Sequence, residues 1–109
     1  MSDVLERFLR YVKIWTTSEE GVEDRYPSTE RQKDLLRLLV SELKDMGLDD
    51  AEMDQYGYVM ATLPSNIESG KSRLTLGLIA HVDTSPDVSG ENVKPVIHEN
   101  YDGTDIQLS

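Results

Sequence analysis

Apolar positions along this 109-residue chain change their period from helical to alternating, and then to continuous. Over residues 3–15, Val4, Leu5, Phe8, Leu9 and Val12 recur three and four apart and line one face of a helix. Asp3 and Glu6 suit its positive amino end, and Glu6 and Arg10 can pair one turn apart on the outer face. A second helix is predicted over residues 29–46, with Leu35, Leu36, Leu39, Val40, Leu43 and Met46 forming a broad apolar face. Ser28 or Thr29 offers a capping oxygen, and Thr29 with Gln32 has capping-box spacing. Gly47 supplies the left-handed residue that ends the helix, after which Leu48 can fold back on Leu43. Residues 16–27 between the helices are polar and acidic, broken by Gly21 and Pro27, and read as a loop. No histidine accompanies the carboxylates Glu19, Glu20, Glu23 and Asp24, so they read as solvated groups.

Beyond the second helix the pattern turns to strands. Residues 51–55 and 58–63 flank Tyr56-Gly57 as a β-hairpin closed by Pro64, and residues 65–72 form a polar connection containing Gly70. Residues 74–80 are apolar on both faces, as expected of a central strand covered on both sides. Ser85-Pro86-Asp87 has turn chemistry, residues 93–98 suit a short strand, and residues 101–103 suit a turn. The predicted class is α/β: two helices, a β-hairpin and a central strand in an incomplete sheet. No repeat or linker marks a second domain, so residues 1–109 are read as one unit. The far edge of the central strand has no evident partner. Exposed edges pair with other chains, so self-association is one outcome, and further strands from polypeptide outside this sequence are the other.

Composition narrows the function. There is no cysteine, so disulfides and thiolate metal sites are excluded, and a metal could be held only by histidine and carboxylate. Twenty-one acids against eleven bases give a formal charge of −10, which disfavours nucleic acid as a partner. No apolar run approaches the ~20 residues of a membrane span and no leader pattern opens the chain, so a soluble cytoplasmic protein is expected.

The candidate chemistry lies where the apolar run 74–80 meets His81-Val-Asp83. Open α/β sheets gather their chemistry beyond the carboxyl ends of strands. In extended backbone, residues 81 and 83 share a face roughly 6–7 Å apart along the chain. Asp83 can then stand beside the imidazole and fix its tautomer. A histidine at a strand end can also be a purely structural hydrogen-bonding group, and the triplet alone leaves both readings open. His98, the only other histidine, reads as a surface residue. Gly77 lies within the strand and suits close packing, while Ser85 has no histidine placed as its base.

The flanking residues add a resemblance. The stretch from His81 to Asp87, then Ser89-Gly-Glu-Asn-Val-Lys-Pro95 and Glu99-Asn-Tyr-Asp-Gly103, resembles the opening part of tripeptide aminopeptidases of the M20 metallopeptidase family. Leu5-Glu-Arg-Phe-Leu9, Pro27-Ser-Thr-Glu30, Glu42-Leu43, Met46-Gly-Leu48 and Met60-Ala-Thr-Leu-Pro64 extend the resemblance over essentially the whole chain. It implies the amino-terminal portion of a three-layer zinc-peptidase catalytic domain. It also implies a site with two zinc ions, a small peptide substrate and release of the first residue of a tripeptide. His81 corresponds to a metal ligand, and Asp83 to the catalytic-site aspartate that orients it. The bridging aspartate, the glutamate base and the remaining ligands of the family have no counterparts among these residues. The isolated chain is therefore expected to bind zinc weakly and to hydrolyse nothing. Another M20-type dipeptidase or deacylase, or a non-catalytic truncated domain, is the alternative.

Overall fold

The computed structural model describes residues 3–68, 70, 72 and 74–108. Its elements are α1 (Asp3–Tyr11), α2 (Gln32–Asp45), β1 (Glu52–Met53) and β2 (Val59–Met60).

Helix α1 stops four residues short of the expected end. Its last turn tightens, with Lys13 N–H donating to Arg10 O and Ile14 N–H to Tyr11 O. The chain then straightens, because β-branched Ile14, Thr16 and Thr17 favour extended backbone and Thr17 forms a parallel bridge with Thr84. Thr16 and Thr17 are buried, so the connection between the helices is anchored at its start rather than solvated throughout.

Helix α2 also starts later than expected. Gln32, Lys33 and Asp34 donate to the carbonyls of Thr29, Glu30 and Arg31 in a tight turn ahead of the helix. The capping box does not form. Thr29 Oγ1 donates to Thr17 O at 3.0 Å, and Gln32 Nε2 donates to Ser28 Oγ and Thr29 Oγ1, so both side chains serve the loop instead. At the other end the expected stop is present. Gly47 has φ +89°, its N–H donates to Lys44 O, and Leu48 N–H donates to Leu43 O. This paired closure satisfies two carbonyls that a helix end otherwise leaves open.

The hairpin is real but short, with Glu52 opposite Met60 and Met53 opposite Val59. Asp54 organises its turn: Oδ1 accepts from the amides of Tyr56 and Tyr58 at 2.9 and 2.8 Å. Helix α2 packs on both strands. Leu35, Leu36 and Ala51 are the buried apolar side chains among the described residues. Helix α1 is fastened to α2 chiefly by charge. Glu42, with a side chain only 14% exposed, takes bonds from Arg7, Arg10 and the Tyr11 hydroxyl. The bond from Tyr11 and the neighbouring guanidinium groups hold the Glu42 carboxyl below the usual range, while burial and Glu42 together push the Tyr11 phenol up.

The predicted central strand is not formed. Residues 74–80 belong to no ladder, and Leu74, Leu76, Leu78 and Ile79 are 83–100% exposed. A strand exists only through its neighbours, and among the described residues none pairs with this segment. Residues 93–98 form no strand either. Of the polar connection 65–72, Ser69 and Lys71 lie outside the described residues, as does Arg73 beside it. Two helices and a two-stranded antiparallel sheet make the arrangement α/β, with an incomplete sheet. No helix among the described residues is long and apolar enough to cross a membrane.

Candidate functional site

His81 and Asp83 come together as their spacing predicts. The imidazole Nδ1 lies 2.9 Å from Asp83 Oδ1. A carboxylate only accepts, so Nδ1 is the donor, and in the neutral imidazole Nε2 is the nitrogen left with a lone pair. The His81 side chain is 84% exposed. A histidine fixed in this tautomer suits a divalent cation as a single ligand. Among the described residues, no group of three histidine, aspartate or glutamate side chains is placed to hold a metal.

One hydrogen-bonded junction locates the pair. Ser18 N–H donates to Thr84 O at 3.0 Å and Thr84 N–H donates to Thr16 O at 3.4 Å, pinning residue 84 to the start of the inter-helix loop. The following turn is local: Ser85 Oγ donates to Asp87 Oδ2 and accepts from Asp87 N–H. This is the turn chemistry read from the sequence, and it gives Asp87 a structural occupation.

His81 also borders an open apolar groove of about 490 Å³. Its lining includes Phe8, Leu35 and Leu39 of the helices together with Val12, Ala80, Val82 and Val93. His98 is elsewhere, in a polar concavity built within residues 98–107 whose lining includes neither His81 nor Asp83. In that concavity Asp102 Oδ1 accepts from the Thr104 amide and hydroxyl, which lowers its carboxyl below the usual range.

The chain is 57% identical over all 109 residues to peptidase T of Halothermothrix orenii and 56% to peptidase T of Alkaliphilus oremlandii. Against peptidase T of Clostridium acetobutylicum the identity is 53%, again over the full 109 residues. The whole chain is similar to peptidase T. It spans 26% of the length of each of these relatives. No family model matches it. The peptidase T relatives cover the helices, the hairpin, the His81–Asp83 pair and the segment after Pro86 alike, so the likeness is not confined to one motif.

The residues that sequence reading missed are those of the junction: Trp15, Thr17, Thr84 and Gly90. Their signal was faint. Thr16-Thr17 places two β-branched residues at the mouth of an acidic loop, a composition better suited to extended pairing than to a solvated turn.

Proposed function

We propose that this chain is the metal-anchoring part of a zinc-dependent tripeptide aminopeptidase of the M20 type. In this reading residues 1–109 form the opening portion of a three-layer catalytic domain in a cytoplasmic enzyme acting on small peptides. The single supporting observation is the His81–Asp83 pair, held at 2.9 Å inside a stretch that peptidase T relatives match throughout. His81 offers Nε2 to one of two zinc ions, and Asp83 keeps the imidazole in the tautomer that permits it. When bound, such a metal pair supplies a hydroxide near neutral pH and polarises the scissile carbonyl. A catalytic zinc site needs about three protein ligands and an open position, and this chain contributes one. The other ligands and the general base are assigned to further polypeptide of the whole protein. The bare apolar segment 74–80 and the groove beside it suit this reading, since exposed apolar surface of this extent marks an interaction site. The peptidase T name of the relatives does not favour a dipeptidase, a deacylase or a non-catalytic domain.

The test uses the whole protein supplied with zinc or cobalt, assayed for release of the first residue of a tripeptide. His81→Ala is expected to abolish cleavage, and Asp83→Asn to lower it on the order of 10–100-fold through a mis-set imidazole. Undiminished turnover by His81→Ala overturns the proposal. The 109-residue chain alone is expected to bind zinc weakly, and sub-micromolar affinity in calorimetry would contradict that expectation.

A further inference from the structure

The junction converges on one hydroxyl. Thr17 Oγ1 accepts from Trp15 Nε1–H at 3.0 Å and from Gly90 N–H at 3.2 Å, and lies 3.2 Å from Thr84 Oγ1. The indole and the amide can only donate, and a hydroxyl oxygen has two lone pairs. Both are therefore occupied, and the Thr17 proton points to Thr84 Oγ1. The Thr17 carbonyl accepts from Thr29 Oγ1 and Arg31 Nε, both at 3.0 Å, so the residue is held from the helical side as well. Thr17 itself is only 6% exposed.

On the other side the metal-anchoring segment has little else to hold it. Residues 74–80 make no hydrogen bond to another described residue, whereas residue 84, next to Asp83, is tied through its backbone and side chain. Gly90 closes the far side of the same loop. A Cβ there would lie 2.8 Å from Thr17 Oγ1 and 3.1 Å from Thr84 Oγ1, so the close approach depends on glycine.

We propose that Thr17, through Thr84 and Gly90, is a positioning residue that sets where the His81–Asp83 pair stands. The inference rests on the reading of His81 as a metal ligand and adds a residue 64 positions upstream of it, with no ligating role of its own. Thr17→Val keeps the shape and removes the hydroxyl; Thr17→Ser keeps the hydroxyl.

The experiment measures Co(II) affinity by chelator competition and the Co(II) visible spectrum in the whole protein. Amide exchange at residue 84 is followed in the metal-free protein. Thr17→Val is expected to weaken Co(II) binding about tenfold, to alter the ligand-field bands and to speed exchange at residue 84, with Thr17→Ser close to the parent in all three. Gly90→Ala, which pushes a methyl into the same hydroxyl, is expected to reproduce the Thr17→Val spectrum and covers the case in which Thr17→Val does not fold. A parent-like affinity and spectrum in Thr17→Val or Gly90→Ala, with His81→Ala impaired, overturns the positioning role alone. Unchanged Co(II) binding in His81→Ala overturns the ligand reading, and the positioning role falls with it.

Discussion

The first sixty-odd residues and the remainder obey different rules. From Asp3 to Met60 the helical stripe, the glycine stop and the turn capped by an aspartate are each set by residues a few positions apart. The helices so formed find cover or a clamp in one another and the hairpin. From residue 64 onward, apart from the junction of Thr84 and Gly90 with residues 16–18, the hydrogen bonds are again short-range within turns, and most large apolar side chains are exposed. Leu36 is 4% exposed in the first region and Leu78 is 90% exposed in the second, although both sit in runs of equal apolarity. Burial is decided by the availability of a partner surface, not by the hydropathy of the run.

This contrast can be tested by substitution in the 109-residue chain. The largest effect is expected from Leu36→Ala, which empties the contact between α2 and the hairpin and should cost about 2–4 kcal/mol in urea unfolding. Next comes the clamp between the helices. Glu42→Gln should cost on the order of 1–2 kcal/mol at neutral pH, through loss of charge-assisted bonds from Arg7, Arg10 and Tyr11. It should also flatten the acid limb of stability. The folded Glu42 carboxyl titrates below its ordinary value, so its contribution is complete above the usual glutamate pKa of about 4.3. That contribution disappears as pH falls through the lower folded value. Tyr11 works in the opposite direction: its raised phenol contributes below about pH 10 and is lost as pH rises through the folded value. An acid limb unchanged in Glu42→Gln would show that the clamp carries no linkage. Gly47→Ala, at φ +89°, should cost about 1 kcal/mol by the same unfolding measurement. Smallest of all, Leu78→Ser should change stability by less than about 0.5 kcal/mol. A loss comparable to that of Leu36→Ala would dissolve the distinction between the two regions.

The same distinction explains what could be read in advance. The existence of α1 and α2, the Gly47 stop, the hairpin at Tyr56-Gly57 and the His81–Asp83 pairing all depend on residues within a few positions of one another, and each was legible. The ends of the elements were not. Helix α1 was expected to reach residue 15 because its stripe gives no sign of a partner 67 positions away, yet it is the Thr17–Thr84 bridge that pulls the chain out of the helix. The capping box at Thr29 and Gln32 failed for a similar reason, since Thr17 O competed for the Thr29 hydroxyl. The strand over residues 74–80 was read from composition that describes what the segment would favour inside a sheet. Among the described residues none pairs with it.

The junction at Thr17 also endows the molecule with an optical reporter. Trp15 is its sole tryptophan, half-buried, with the Arg31 guanidinium 4.0 Å from the ring centroid and the indole N–H engaged by Thr17. Its emission therefore registers whether the loop carrying His81 is docked on the helices. Undocking would move the band toward that of a water-exposed indole and relieve whatever quenching the stacked guanidinium imposes, with no label attached.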